Sequence, residues 1–172
     1  MSHVDTCWAD MAARVVRVIL ARKGIGYAEL ATALQTVGVT ESARSLALRV
    51  MRGRVKLSML LQILHVTHSK MPRLWLEAIS RSDSWEVRAT AVLEAELSRH
   101  PAVAVDDLTL RMVQLGASLT EKTLASHIDQ GNISLPEFLQ SILALGSLSL
   151  DRYIDYDDLI AVGRSAVAER LQ

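Results

Sequence analysis

The sequence repeats itself at a fixed spacing, and this repetition limits the possible folds more than any other feature does. Between positions 30 and 64, many residues recur as the same type 78 positions later, as Gly38 does at Gly116. The identical positions in the first copy are Leu30, Gly38, Leu46, Ala47, Gly53, Leu57, Leu61 and Gln62. Such a period indicates two copies of one folding module.

The repeat continues on both sides of this segment. Trp8 and Trp85 lie 77 residues apart, which implies one inserted residue, and Trp75 and Tyr153 restore the spacing of 78. The predicted units are a first module over residues 1–80, a second module over 81–156 and a C-terminal helix over 157–172.

Composition and apolar spacing favour helices throughout the chain. Apolar residues make up 50% of the chain and aromatic residues 4%, and there are only three prolines, a balance typical of helical proteins. Apolar side chains recur at helical spacing. In the first copy they predict five helices, which begin near Trp8, Tyr27, Thr40, Leu57 and Met71. We therefore predict an all-α protein with two tandem helix-turn-helix-like modules and a final helix.

Glycines and hydroxyl residues mark the predicted helix ends. Gly38 and Gly53 follow apolar runs and suit the left-handed conformation found at helix C-termini. Segment 118–121 (Ser-Leu-Thr-Glu) has capping-box spacing, so Ser118 and its equivalent Thr40 are the predicted N-caps of the third helices. Segment 134–137 (Ser-Leu-Pro-Glu) predicts the start of the fourth helix in copy two in the same way.

Two further helices are predicted near the C-terminus, over 150–156 and 157–171. The last of them carries an apolar stripe, formed by Leu159, Val162, Ala166, Val167 and Leu171. A stripe of this kind either packs within the chain or pairs two chains. A homodimer through this helix or through the second module is therefore one predicted partnership.

The net charge of zero conceals a division between the two halves. Residues 1–76 carry 11 Lys/Arg and 4 Asp/Glu, a net +7, whereas residues 77–172 carry 8 and 15, a net −7. A basic half suggests a surface for a polyanion. The alternative is that the two halves attract each other, within one chain or between chains.

Several classes of site are disfavoured by the residue patterns. Cys7 is the single cysteine and cannot form an internal disulfide, and the five histidines lack metal-ligand spacing. Phosphate-binding loops, nucleophile elbows, zinc-protease motifs and dinucleotide glycine patterns are absent, so we predict no enzyme and no cofactor. Without a signal-peptide pattern or a long apolar run, a cytoplasmic protein with no membrane contact is expected.

The order of helices in each copy is that of a helix-turn-helix: a short helix, a glycine-containing turn and a capped helix. Three segments add detail, namely 27–31 (Tyr-Ala-Glu-Leu-Ala), 50–53 (Val-Met-Arg-Gly) and 60–64 (Leu-Leu-Gln-Ile-Leu). They resemble the lambda-repressor-like (XRE-type) class of DNA-binding domains. The resemblance is closer to an uncharacterised bacterial domain family, usually found as a single copy, that is itself similar to this class.

This resemblance spans about 50 residues per copy and implies DNA binding through the third helix. In copy one, Arg44, Ser45 and Arg49 are suited to base edges, and Arg52 and its basic neighbours to phosphates. The predicted DNA-binding residues are Ser42, Arg44, Ser45, Arg49, Arg52, Arg54 and Lys56. The equivalent residues of copy two are Lys122, Thr123, His127, Gln130, Asn132 and Ser134, so copy two is expected to bind polyanions less well.

Two functions from different classes follow from these patterns. The first is a DNA-binding transcription regulator that reads the major groove of double-stranded DNA with the third helix of copy one. The alternative is a non-enzymatic helical adaptor that binds a protein partner through its acidic second half. A third arrangement, in which both copies contact DNA as a pseudo-dimer within one chain, is disfavoured by the acidic character of copy two.

Overall fold

The computed structural model describes residues 2–81 and 83–172, apart from the side chain of Arg170, and helices joined by loops and turns make up these residues. The all-α prediction and the two repeated modules followed by a C-terminal helix are confirmed. Module 1 contains α1 (His3–Lys23), α2 (Tyr27–Gln35), α3 (Ala43–Met51), α4 (Leu57–Val66) and α5 (Leu76–Ser80). Module 2 and the tail contain α6 (Trp85–Ser98), α7 (Val105–Gln114), α8 (Glu121–Asp129), α9 (Leu135–Leu145) and α10 (Tyr156–Arg170).

The N-caps of α3 and α8 lie two residues later than predicted. The predicted caps Thr40 and Ser118 are wrong, because the chain only becomes helical after Ser42 and Thr120, whose side chains accept the amides of the residues three positions on. Residues 39–41 have no helical structure and connect the turn at Gly38 with the start of α3. The capping box at Ser134 is present as predicted.

The predicted helix over 150–156 is also wrong. Residues 150–153 form turns, and α10 starts at Tyr156. Tyr153 is buried, and its hydroxyl donates to the carbonyl of Lys70 in module 1 at 2.5 Å. This contact between modules fixes the segment without a helix.

The two modules meet at a short antiparallel junction formed by equivalent residues. The amide of Leu57 donates to the carbonyl of Ile133 at 2.9 Å, and the amide of Leu135 donates to the carbonyl of Val55 at 2.7 Å. Lys56 and Ser134, which are equivalent in the repeat, face each other in an isolated antiparallel bridge. The two bonds are exchanged when each residue is replaced by its equivalent in the other module, so the junction has approximate two-fold symmetry.

Packing across this junction is reciprocal. Helix α1 packs more extensively on α9 than on α4 of its own module, and α6 likewise packs more extensively on α4 than on α9 of its own module. One apolar core therefore takes side chains from both modules, including Trp8, Leu60, Val92 and Phe138. The predicted boundary at residue 80 separates sequence repeats that share this core.

Two buried indoles of module 1 also bond across the boundary. The Trp8 Nε1 donates to the carbonyl of Leu115 at 2.9 Å, and the Trp75 Nε1 donates to the Glu96 Oε1 at 2.7 Å. Both rings are almost completely buried, and an unpaired indole N–H there would be costly. Module 2 thus satisfies two buried donors of module 1.

Gly53 and Gly131 allow the third helix of each module to approach the first. Both have positive φ, 63° and 64°. A Cβ atom at Gly53 would overlap the main chain of Ala9 in α1, and one at Gly131 would overlap Glu86 at the matching place in α6. These glycines were predicted only as helix ends, but they are also points of close contact between backbones.

We predict that Gly53→Ala destabilises the protein by at least about 2 kcal/mol more than Gly24→Ala does, since close-packed interiors do not absorb an added atom freely. Gly24 is the matched control, because its φ of 64° is nearly the same but nothing lies within 4 Å of the position of its Cβ. Urea unfolding followed by circular dichroism measures the difference. Equal destabilisation by the two substitutions would show that only the backbone conformation matters.

Candidate nucleic-acid interface

Helix α3 has one buried and one exposed face. Leu46 and Val50 are fully buried and anchor it to the core. Arg44, Ser45 and Arg49 are exposed on the other side. The predicted outward positions therefore do face solvent, and one apolar residue, Leu48, lies among them at 37% exposure.

Ser42 closes the N-terminus of this helix. Its Oγ accepts the amide of Ser45 at 3.1 Å, which satisfies one of the free donors in the first turn. Ser42 was predicted to contact DNA, and the structure gives its hydroxyl a local role as the N-cap. It still lies at the rim of the exposed surface.

Glu41 is bonded to two of the predicted base-contacting residues. Its Oε1 accepts the Ser45 hydroxyl at 2.7 Å and the Arg49 Nε at 3.1 Å. Glu41 keeps only 12% of its side chain exposed, against 43% for Arg49. No sequence pattern predicted this pair, because Glu41 precedes the helix and helical spacing does not apply to it.

Three arginines around α3 make no polar side-chain contact within the described residues. Arg44, Arg52 and Arg54 form neither an ion pair nor a side-chain hydrogen bond with any residue of 2–81 or 83–172. Together with Glu41, Ser42, Ser45, Leu48 and Arg49 they line an open depression of about 530 Å³. The structure thus brings six of the seven predicted residues to one surface, which we call the α3 surface.

Lys56, the seventh predicted residue, lies at the junction of the modules. Its Nζ donates to the Asn132 Oδ1 at 2.9 Å, and the Asn132 Nδ2 donates to the Gln130 Oε1 at 3.1 Å. Lys56 does not line the depression described above. Its bond links the start of α4 to the residues that follow α8.

The equivalent surface on α8 is organised differently. His127, at the position of Arg49, lies 3.1 and 3.2 Å from the two carboxylate oxygens of Glu137 through its Nδ1. Glu137 also accepts the amide of Ser134 in the capping box of α9. The carboxylate that holds His127 therefore has no counterpart in module 1, where Met59 occupies the equivalent position.

Within residues 2–81 and 83–172, few charged side chains of the basic half form ion pairs with the acidic half. Of the ion pairs in the described residues, two join the halves: Arg14 with Asp158 at 2.8 Å, and His3 with Glu169 at 2.8 Å. Both connect α1 with α10. Neither involves the arginines of the α3 surface, so attraction between the halves does not account for them.

Cys7 is not arranged as a nucleophile. Its Sγ lies 3.7 Å from the His3 Nδ1, and the same nitrogen lies 2.8 Å from Glu169. A relay needs opposite ring nitrogens for the thiol and the carboxylate. Burial, followed by the charges of Asp10 and Glu169, raises the pKa of the Cys7 thiol, which keeps it protonated near neutral pH.

Metal-binding clusters and membrane-spanning helices are both missing from the described residues. No three His, Cys, Asp or Glu side chains of residues 2–81 and 83–172 come together in a way that could hold a metal ion. None of the helices in these ranges has both the length and the apolar character needed to span a bilayer.

Comparison with known proteins gives one result that covers most of the chain. The model of a family described as a domain of unknown function (DUF6471) matches twice, over residues 8–71 and 85–150. No curated protein and no solved structure matches the chain. The match confirms the duplication, while the similarity to lambda-repressor-like domains stays a prediction.

We predict that Ser42→Ala lowers the free energy of unfolding by about 1 kcal/mol, the usual cost of removing an N-cap hydroxyl. Thr40→Ala is the control, because the structure gives the Thr40 side chain no capping bond, and it should cost less than about 0.5 kcal/mol. Thermal unfolding of both variants compares them. If Thr40→Ala had the larger effect, Thr40 would be the N-cap, as the sequence predicted, and Ser42 would not.

Proposed function

The chain belongs to the DUF6471 family, and we propose that it binds double-stranded DNA as a transcription regulator through the α3 surface of module 1. In this proposal α3 lies in the major groove, and α2 supports it from behind. The adaptor function remains the alternative, in which module 2 presents its carboxylates to a basic protein partner.

The observation that carries the proposal is the chemistry of the α3 surface. Four guanidinium groups, those of Arg44, Arg49, Arg52 and Arg54, surround one exposed helix of nine residues, and one carboxylate lies among them. Exposed arginines on a helix that fits the major groove are the usual means of contacting phosphates and guanine. The exposed Leu48 adds an apolar contact of the kind made with the methyl group of thymine.

The positions of these side chains suggest a division of roles. Arg44 is in the first turn of α3, which is the part of a recognition helix that contacts base edges. Arg52 and Arg54 follow the last turn and are suited to phosphates on the adjoining backbone.

Glu41 gives the α3 surface an internal competitor for DNA. Its carboxylate holds Arg49 and Ser45, and a phosphate or base edge that takes the Arg49 guanidinium must displace it. The pair also fixes the orientation of Arg49 before DNA arrives. Because Glu41 brings negative charge close to the DNA backbone, we expect it to reduce affinity overall.

We predict that Arg44→Ala/Arg52→Ala weakens binding to a mixed-sequence duplex by at least about 30-fold, because it removes two guanidinium groups that bind the duplex. Fluorescence anisotropy over a salt series measures this, and the slope of log K against log salt should fall by about 1 for each phosphate that is no longer neutralised. Arg17→Ala is the control, since it removes an exposed arginine from α1. Equal binding by all three proteins would refute the proposal and favour the adaptor.

We predict the opposite change for Glu41→Gln. Without the carboxylate, Arg49 is released and one negative charge is removed from the α3 surface, so affinity for the duplex should rise by several-fold, about 1 kcal/mol or less. The same anisotropy measurement applies. Tighter binding would identify Glu41 as a competitor of DNA, whereas weaker binding would mean that its main effect is to orient Arg49.

A further inference from the structure

The two modules of this single chain are related to each other by approximate two-fold symmetry. The junction of Val55–Leu57 with Ile133–Leu135 is isologous, and the packing of α1 on α9 is mirrored by that of α4 on α6. In dimeric helix-turn-helix proteins a contact of this kind relates two identical recognition helices, and the palindrome of the DNA site mirrors it. Here both sides of the contact belong to one polypeptide with two different modules.

The approximate symmetry relates α8 to α3, as the symmetry of a dimer relates its two recognition helices. Lys56 and Ser134 face each other across the approximate axis, and they follow closely after the ends of α3 and α8. The Lys56–Asn132 bond joins the segments that follow these two helices. Each position on the α3 surface therefore has a counterpart on α8 or in the residues next to it.

The counterparts carry much less positive charge. Residues 41–56 contain five Lys/Arg and one Glu, whereas the equivalent residues 119–134 contain one Lys with one Glu and one Asp. Of the side chains on and just after α8, His127 faces Glu137, and Asn132 accepts from Lys56. Each phosphate that a protein neutralises releases counterions and so increases affinity. With so few positive charges, α8 adds little to the affinity for DNA.

Resting on the DNA-binding function proposed above, we infer that one chain recognises a single, non-palindromic stretch of duplex, with base contacts from module 1 alone. Module 2 occupies the place of a symmetric partner and contributes buried side chains to the shared core. The binding unit is therefore one chain per site, although the fold has the symmetry of a dimer.

The test is selection from a random duplex pool with the full chain at two salt concentrations, combined with the mass of the resulting complex. We expect one enriched motif without an inverted copy and a mass of one chain per duplex. Lys122→Ala, at the position equivalent to Arg44, should leave affinity within about two-fold, whereas Arg44→Ala should lower it at least about five-fold.

A second variant tests whether the lower charge of α8 is the cause of the asymmetry. His127→Arg/Gln130→Arg gives α8 the residue types of positions 49 and 52, and an arginine at 127 would face Glu137 as Arg49 faces Glu41. The motif selected by this variant should gain a second, inverted unit. If it remains a single unit, the low charge of α8 does not explain the asymmetry and the inference fails.

The outcomes separate this inference from the function on which it rests. An inverted repeat selected by the wild-type chain, two chains per duplex, or enrichment without any motif would each overturn the inference while DNA binding stands. Failure to retain any duplex at the lower salt concentration would overturn the proposed function itself.

Discussion

The reciprocal burial of α1 against α9 and of α4 against α6 is the constraint on which the rest of this structure depends. Because these helices bury apolar side chains against the other module, a change at one of the shared core positions affects the packing of both modules. Among the identical positions of the repeat, Leu57, Leu61 and their equivalents in module 2 belong to this core, while Gly53 and Gly131 let the third helix of each module approach the first. A shared core leaves the exposed faces free to differ, and α3 and α8 differ there in charge.

Most of the architecture was predictable from the sequence, because apolar periodicity and an internal repeat both report on burial. The helix ends were less predictable where two hydroxyl residues compete. Thr40 and Ser42 both precede α3, and only the path of the chain after Gly38 selects Ser42. The turns at 150–153 were not predicted, and the bond that ties them to module 1, from the Tyr153 hydroxyl to the Lys70 carbonyl, joins residues 83 positions apart in sequence.

In the candidate site, too, contacts between residues of different elements were not predictable from the sequence. Spacing along a helix identified which side chains of α3 face outward, and the structure gathers six of the seven around one depression. It did not identify Glu41 as the partner of Arg49, or Glu137 as the partner of His127. Both carboxylates approach from outside the helix concerned, so these pairs depend on tertiary structure. Lys56 was counted with the arginines for its charge, but it faces the second module.

The shared core has a consequence for how the protein is made. Ribosomes add roughly 5–20 residues per second, so module 1 is complete about 1–4 s before α6, which covers α4, and about 3–13 s before α9, which covers α1. During that interval the nascent chain exposes two apolar helical faces whose partners in module 2 are still untranslated. Another nascent copy on the same messenger could offer the same faces, because the modules are related by symmetry. Fusing two copies in one chain favours correct pairing by proximity, since the second half arrives tethered to the first.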